Sequence, residues 1–353
     1  MESGSPTILH IAPQNFAGMP YDFVQMHRSA GLKSRLVTMY PNTLDFEEDI
    51  CLNLSLPKSK ISMKWRNIKL QKPKKYNQPA NILEKFFFKL RDFKNKNLIY
   101  SAIEQYYLEL YDIYHFDGGM DFFRDSRFAL KMKKEGKRIV CCYFGSDLRT
   151  RGLFKTIDEI SDLNLTVEFD HLSFHPNINY LFFPFDVYSY QYGYTSNEKL
   201  RIIHSPTNRL FKGTDNILKV INELKKDFDF EFLLIENLPR IELLKIKRTC
   251  DLAIDQVGGI KGGSGYGKNS IENLSMGLPT ITEFSPEYLK FLPENPFLHT
   301  TIKEMKDLLV YIFENRDVLK NYSLEGRRWV EKYHSYQAVN AQLTELYKKA
   351  NII

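Results

Sequence analysis

Short apolar runs alternate with amphipathic stretches through the second half of the chain. The apolar runs predict strands at 201–203, 230–235, 252–254 and 280–283. Apolar positions that recur three and four residues apart predict helices at 216–226, 240–249, 269–276, 302–315, 319–333 and 338–349. This alternation of strands and helices is typical of an α/β domain built on a parallel sheet.

The first half follows the same pattern less regularly. It predicts strands at 7–12, 35–38, 111–116 and 138–144, and helices at 21–30, 82–93, 97–110 and 127–134. The opening strand–helix–strand unit is typical of a Rossmann-like domain, but no GxGxxG fingerprint indicates a tight dinucleotide cradle. The polar, tyrosine-rich stretch 187–199 has no period and indicates a linker. We therefore predict two domains, 1–190 and 191–335, and a final helix within 336–353.

A glycine-dense loop leads from the strand at 252–254 into the next helix. Asp255 follows the strand, six glycines lie within 258–267, and the helix begins at Asn269 with Glu272 in its first turns. Glycines let a ligand approach the backbone closely, and a helix N-terminus offers free N–H groups to phosphate. The loop is therefore a candidate nucleotide site, although such loops are also common without a ligand.

Two cations stand at the entry to an earlier helix. Arg209 and Lys212 follow the strand at 201–203 and a turn-rich loop that contains Asn208. Arg can fork onto two oxygens and Lys supplies a point charge, so two fixed cations at a helix entry suit a diphosphate.

Together these two stretches resemble the C-terminal domain of GT-B glycosyltransferases, close to family 4. The segments that carry the resemblance are His204–Arg209, Lys212–Thr214, Asp255–Gln256, Gly265–Gly267 and Ile271–Pro279. The resemblance covers roughly 200–345 well and the first half more loosely. It implies an α/β fold of two Rossmann-like domains that face a cleft, with the C-terminal helices crossing back to the N-terminal domain.

The resemblance also implies roles for residues. The family grips the donor diphosphate with the positions of Arg209 and Lys212, and binds the ribose hydroxyls with the position of Glu272. Further donor-binding candidates are Asn208, Asp255, Gly265, Tyr266, Gly267 and Asn269. Asp255 either hydrogen-bonds the glycine loop or reaches the donor. A second family glutamate is replaced here by Ser264, so the donor sugar is not indicated.

The first half adds a loop at the end of the strand 138–144. It reads Gly-Ser-Asp-Leu-Arg, and it resembles the family except that Phe144 replaces a histidine. Because ligands bind at the carboxyl ends of parallel strands, Asp147 is a catalytic candidate and Arg149 a donor-binding one. Asp147 has the alternative role of capping the turn. Gly18, in the first loop, either brings the backbone near the phosphates or acceptor, or is a simple turn glycine.

A strongly basic segment occupies 58–96. It has 13 Lys and Arg residues against Glu84 and Asp92, interleaved with aromatic residues. Such a mixture is found on solvated surfaces, on proteins that bind an anionic membrane, and on proteins that bind nucleic acid. We place the solvated face first and membrane docking second, and we expect no nucleic-acid partner.

Composition limits the class of protein. The 353 residues carry a net charge of +6, which favours anionic partners. The N-terminus has no apolar signal-peptide core, no stretch of about 18 apolar residues spans a membrane, and the four cysteines form no CxxC pair. We expect a cytoplasmic protein with reduced thiols, with peripheral attachment to the inner face of the membrane left open by the segment 58–96.

These features predict a glycosyltransferase that moves a sugar from a nucleotide-diphosphate sugar to a glycan or lipid-linked acceptor. No Asp-x-Asp pair is placed to chelate a metal, so we expect metal-independent transfer without a cofactor, and the resemblance implies retention of configuration. Three alternatives stay open: a GT-B scaffold that binds without catalysis, a nucleotide-sugar epimerase on the same fold, and a nucleic-acid binder that rests on 58–96 alone.

Overall fold

A computed structural model of the chain describes residues 5–42, 46–55, 64–65, 75–79, 81–260 and 265–353. Ser264 and the basic stretches 58–63 and 66–74 lie outside these residues. The chain divides into two units, the first comprising 1–184 with 336–353 and the second comprising 185–335. The tyrosine-rich stretch 187–199, interpreted above as a linker, falls within the second unit.

The first unit is built on a seven-stranded sheet in which every pair of neighbours is parallel. Its strands are β1 (Ile8–Ala12), β2 (Ser34–Thr38), β3 (Ile50–Cys51), β4 (Ile113–Asp117), β5 (Arg138–Tyr143), β6 (Leu163–Thr166) and β7 (Ile178–Tyr180). The order is β3-β2-β1-β4-β5-β6-β7, so the sheet grows in opposite directions from the β1–β4 pair. All five residues of β1 are buried, as expected for a central parallel strand.

Among the described residues, four helices of six or more residues connect these strands, and the last helix of the chain completes the unit. They are α1 (Met19–Ser29), α2 (Ile82–Gln105), α3 (Arg127–Lys134) and α4 (Lys155–Ile160). The C-terminal helix (Tyr336–Lys349) packs on α1, and Gln342 binds the end of β7 through the carbonyl of Tyr180 at 3.1 Å.

The predicted helix 82–93 and its predicted continuation over 97–110 form the single helix α2, which ends at Gln105. The Asn81 side chain accepts a hydrogen bond from the Glu84 amide at 2.9 Å and caps its first turn. No glycine or proline follows before Gln105, so nothing in the sequence breaks the helix.

The second unit has a five-stranded parallel sheet of order β12-β11-β10-β8-β9. Its strands are β8 (Arg201–His204), β9 (Glu231–Leu234), β10 (Leu252–Gln256), β11 (Thr280–Thr282) and β12 (Leu298–His299). Its helices are α5 (Arg209–Lys212), α6 (Thr214–Leu224), α7 (Arg240–Lys247), α8 (Lys268–Met276), α9 (Pro286–Phe291), α10 (Met305–Glu314) and α11 (Val318–Tyr333). The strand order changes direction between β8 and β10, because β9 lies on one side of β8 and the later strands lie on the other.

The two-residue strands and the helices of four to six residues escaped the pattern analysis. These are β3, β12, α4, α5 and α9. An apolar period needs more residues than these elements have, so only longer elements are visible in the sequence. Among the described residues, no helix combines the length and apolar character needed to cross a membrane.

Candidate active site

The candidate site of the second unit lies where β8 and β10 end side by side. The sheet reverses its growth between these two strands, and in open parallel sheets a ligand binds at such a switch point, beyond the carboxyl ends of the strands. Three pieces meet there: α5 after β8, Asp255 near the end of β10, and the start of α8.

The Asp255 carboxylate accepts hydrogen bonds from residues of α5 and α8. Its Oδ1 accepts from Lys212 Nζ at 2.6 Å and from Asn269 Nδ2 at 2.9 Å, and its Oδ2 accepts from Ser270 Oγ at 2.5 Å. Burial opposes ionisation, but Lys212 and the other donors hold the pKa of this carboxyl below its usual value. Asp255 is therefore an ionised, fully hydrogen-bonded group in the interior.

Lys247 extends this arrangement from α7. Its ammonium donates to Asn269 Oδ1 at 2.6 Å and lies 3.4 Å from Glu272 Oε2, although the residue is only 1% exposed. Burial lowers the pKa of Lys247, and the negative charge of Glu272 opposes that shift. A buried lysine needs such partners because an unpaired interior charge costs several kcal/mol.

Glu272 ends the arrangement. Its Oε1 accepts from Arg240 Nε at 2.6 Å, and the Tyr190 hydroxyl lies 3.5 Å from the same oxygen. Arg240 also donates to the Tyr190 hydroxyl. A continuous hydrogen-bonded chain thus runs from Lys212 to Arg240 through Asp255, Asn269, Lys247 and Glu272, and its cations and carboxylates alternate.

Two glycines set the position of Lys212. Gly213 has φ +72°, and a Cβ on it would lie 1.9 Å from the Val257 carbonyl oxygen. A Cβ on Gly259 would lie 2.1 Å from the Phe211 carbonyl oxygen. The turn that carries Lys212 can therefore approach the loop after β10 only because both residues lack side chains.

His204, the last residue of β8, links the ends of β8 and β10 to the start of α6. Its Nδ1–H donates to the Ile254 carbonyl at 2.8 Å, which leaves Nε2 to accept from Thr214 Oγ1 at 2.9 Å. The histidine of the family-like motif thus joins β8 to β10 and to the start of α6, and its contacts are with protein groups.

Arg209 and Asn208, the other two predicted residues near the end of β8, also bind protein groups. Arg209 forms ion pairs with Asp215 at 2.6 Å and Glu236 at 2.8 Å, and its side chain is 40% exposed. Asn208 accepts from the Phe211 amide at 3.1 Å and caps α5. Arg209 and Lys212 share α5, but their side chains bind different carboxylates.

The predicted residues of the glycine loop lie just before α8. The Gly265 carbonyl accepts from Thr282 Oγ1 at 2.8 Å, and a Cβ on Gly265 would lie 2.2 Å from the Tyr288 ring. Tyr266 is half-buried among aromatic rings, and its hydroxyl lies 3.1 Å from His334 Nε2. Gly267 immediately precedes α8, and no atom of the described residues lies within 4 Å of a Cβ built on it.

The predicted residues of the first unit lie in two loops at the ends of strands. Asp147 accepts from the backbone amides of Phe144, Gly145 and Leu148 at 2.8–2.9 Å, which is the turn-capping arrangement considered above. Arg149 binds Asp170 at 2.5 and 2.6 Å and Glu168 at 2.6 Å. Gly18, with φ +72°, precedes α1 in a left-handed conformation that favours glycine.

Sequence reasoning missed Lys247, Arg240 and Tyr190. A signal for Lys247 exists, since Arg240, Leu243 and Lys247 recur at helical spacing and Leu243 packs on the core of the second unit. A lysine at a core-facing helical position needs a buried partner, which points to a carboxylate nearby. Tyr190 gave no such signal because it stands in a stretch without period.

Comparison with known proteins gives a consistent result at the level of fold. No protein-family model matches the chain, and no curated protein matches it in sequence. A glycosyltransferase from Rickettsia africae matches with a TM-score of 0.63 at 12% identity, covering 98% of this chain and 99% of that one. HepE from Anabaena, solved in complex with UDP, matches with a TM-score of 0.59 at 10% identity, covering 97% and 100%.

A sucrose-phosphate synthase from Thermosynechococcus elongatus matches equally well, with a TM-score of 0.59 at 10% identity over 97% of this chain and 98% of that one. The chain has the GT-B fold. This confirms the predicted α/β architecture with two parallel Rossmann-like sheets. The fold makes the switch point of the second unit the first place to look for a ligand.

Proposed function

We propose that the chain is a glycosyltransferase that moves a sugar from a nucleoside-diphosphate sugar to a glycan or lipid-linked acceptor. The observation that carries the proposal is the hydrogen-bonded chain from Lys212 to Glu272 at the switch point of the second unit. Such a set of ordered charges at the mouth of a parallel sheet suits a ligand with both phosphates and hydroxyls. The GT-B neighbours, among them one solved with UDP, support the same assignment.

The proposed reaction needs positive charge where the diphosphate leaves. Lys212 is held by Asp255 with its side chain still 16% exposed, and Arg209 lies on the same short helix. As the sugar–phosphate bond breaks, both cations and the amides at the start of α8 would stabilise the developing charge. The proposal places this charge on side chains rather than on a metal ion, and full activity in EDTA is the expected result.

Glu272 is proposed to bind the ribose. Its two carboxylate oxygens point toward Arg240 and Lys247, which orient the group without neutralising every acceptor site. A carboxylate has about four lone-pair positions, of which Arg240, Lys247 and the Tyr190 hydroxyl occupy three, so one ribose hydroxyl can donate to it while all three stay bound.

The Glu272→Gln variant tests this assignment in a thermal-shift panel of UDP, GDP, ADP, CMP and their sugars. A nucleotide at about 100 times its Kd stabilises the wild type by about 2.7 kcal/mol, or about 5 °C or more in Tm. Loss of hydrogen bonds to a charged group costs about 1.5–3 kcal/mol, so the variant should bind about 10- to 100-fold more weakly.

Glu223→Gln is the matched control, because Glu223 lies in the same unit and pairs with Lys306 on the surface. Its ligand-induced shift should equal that of the wild type. Comparing each variant with and without nucleotide removes any effect of the substitution on intrinsic stability. A nucleotide shift that Glu272→Gln leaves unchanged would contradict the ribose assignment.

A scaffold that binds nucleotide without turnover is the second candidate. The observation behind it is Phe144, whose ring centroid lies 5.9 Å from that of Phe23 where the resembled family has a titratable histidine. Nucleotide binding together with no sugar transfer or donor hydrolysis, over a set of glycan and lipid-linked acceptors, would favour this candidate over the transferase.

We further propose that α2 docks on an anionic membrane. Four apolar side chains at helical spacing share one exposed face of this helix, Leu83, Phe86, Leu90 and Phe93, each more than half exposed. The exposed lysines Lys85, Lys89 and Lys94 lie on the same helix. An apolar stripe flanked by lysine is suited to the interface of an anionic bilayer, where it would bring the enzyme to a lipid-linked acceptor.

The double variant Phe86→Ser/Phe93→Ser is expected to lose membrane binding. Burying these two rings in the interface drives association, so their removal should lower partitioning onto anionic vesicles about tenfold or more in flotation. Ile241→Ser, which removes a similarly exposed residue of the second unit, is the control and should float like the wild type. Equal flotation of both variants, or no binding of the wild type at low salt, would contradict the proposal.

A further inference from the structure

Three histidines from separate parts of the sequence meet inside the first unit. His10 on β1 and His115 on β4 are direct partners in the parallel register, and His27 comes from α1. Their ring centroids are 4.4 Å apart for His10 and His115, 5.4 Å for His10 and His27, and 5.9 Å for His27 and His115. All three residues are fully buried.

Two of the rings are held by partners on one nitrogen only. His10 Nδ1 lies 3.0 Å from Asp117 Oδ2, and a ring that donates to this carboxyl group leaves its Nε2 lone pair free. His115 Nε2 bonds the Tyr347 hydroxyl, and donation in that direction leaves its Nδ1 lone pair free. The open nitrogens of both rings are therefore defined by their hydrogen bonds.

The nitrogens that remain have no hydrogen-bond partner among the described residues. They are His10 Nε2, His115 Nδ1 and both nitrogens of His27. One nitrogen from each ring lies within 4.8 Å of those of the other two. Buried polar atoms are almost always paired, and one unpaired lone pair from each of three neutral rings in one place indicates a ligand that accepts these lone pairs.

We propose that His10, His27 and His115 bind one divalent transition-metal ion of the zinc class. Imidazole nitrogen is a preferred ligand of zinc, with Zn–N distances of about 2.0–2.1 Å, which place tetrahedral ligand atoms about 3.4 Å apart. The nitrogens, now within 4.8 Å of one another, reach that spacing by a movement of about 1 Å or less per ring. All three ligands lie in the described part of the chain.

The surroundings of the cluster fit such a site. A carboxylate that holds the far nitrogen of a ligating histidine is the usual outer partner of zinc, and Asp117 has that position behind His10.

The role we assign to the ion is structural. The cluster is closed to solvent and belongs to the first unit, whereas the hydrogen-bonded chain from Lys212 to Glu272 belongs to the second. Through His115 and Tyr347 it also connects the sheet to the C-terminal helix. A bound ion would therefore join β1, β4 and α1 and hold that helix, and this inference does not depend on the proposed transferase activity.

The test uses the full-length chain. Protein purified without chelator, and protein unfolded and refolded with Zn²⁺ or Co²⁺, are analysed for metal content after gel filtration. One ion per chain is expected, with the visible absorption of Co²⁺ bound by three imidazoles and a water in the cobalt form, and a lower Tm for protein refolded in EDTA than for protein refolded with metal. Refolding with metal is included because a closed site fills during folding.

Two variants locate the ion. His27→Leu removes a ligand that has no hydrogen bond to lose among the described residues, so it should fold and weaken metal binding more than about 100-fold. Asp117→Asn should weaken binding about 10- to 100-fold.

His175→Gln is the control, since His175 is buried in the same unit and bonds Asp158 at 2.9 Å outside the cluster. It should keep one ion per chain. The proposal is overturned if the wild type holds no stoichiometric metal after refolding with it. Equal metal content in wild type and folded His27→Leu, checked by circular dichroism, would overturn it as well.

Discussion

Alanine at position 213 is expected to destabilise the second unit by about 4 kcal/mol. A non-glycine residue in a left-handed conformation costs about 1–3 kcal/mol, and forcing an atom into packed structure costs about 1–3 kcal/mol more. Both costs apply at Gly213, whose φ is +72° and whose added Cβ would overlap the backbone of Val257, Gly258 and Gly259. Backbone atoms cannot relieve the overlap by a change of rotamer, as a flexible side chain can.

Tryptophan fluorescence in urea measures this effect in one unit at a time. The chain has two tryptophans, Trp65 in the first unit and Trp329, which is buried in the second. In a Trp65→Phe background, Trp329 alone reports unfolding. Gly193→Ala is the control, since no atom lies within 4 Å of its added Cβ, and it should change stability by less than about 0.5 kcal/mol. A loss below about 1 kcal/mol for Gly213→Ala would contradict the close approach of the two loops.

The fold was predictable because its longer elements follow one repeated pattern. In the second unit, every predicted strand and helix is present with ends shifted by a few residues, as with the predicted helix 269–276 and the observed α8. Buried parallel strands are continuous apolar runs, and helices that cover them show a single apolar face. The short α5 carries both predicted cations and was invisible, because four residues cannot show a period.

The candidate site was predictable only where its residues are close in sequence. Asp255, Asn269 and Glu272 surround one glycine loop, and the structure does bring them into one hydrogen-bonded chain with Lys212. The partners Lys247 and Tyr190 come from a helix and a stretch with no motif.

The histidine cluster shows the same limit more sharply. His10, His27 and His115 are spread over more than a hundred residues, and only the pairing of β1 with β4 brings two of them side by side. Contacts of this kind depend on strand register, which follows from the packing of the whole sheet rather than from any local pattern.

The pair formed by Lys212 and Asp255 is expected to contribute to both stability and ligand binding, and the two effects are separable. Lys212→Met leaves the buried Asp255 carboxylate with only Asn269 and Ser270 as donors, and Asp255→Asn leaves Lys212 without its counter-charge. Breaking a buried ion pair by removing one partner costs about 3–5 kcal/mol. Each single variant should therefore lose about 3 kcal/mol in the same Trp329 assay.

The double variant distinguishes an ion pair from two independent contributions. Removing both charges leaves no unpaired charge in the interior. The free energy of unfolding should therefore fall by about 2–3 kcal/mol less than the sum of the two single losses. The effects of the three variants on nucleotide affinity should differ from their effects on stability. Lys212→Met, alone or in the double variant, removes the cation proposed to meet the diphosphate, whereas Asp255→Asn keeps it. Additive losses of stability would refute the pairing, and nucleotide binding that survives Lys212→Met would move the diphosphate contact to Arg209 and the start of α8.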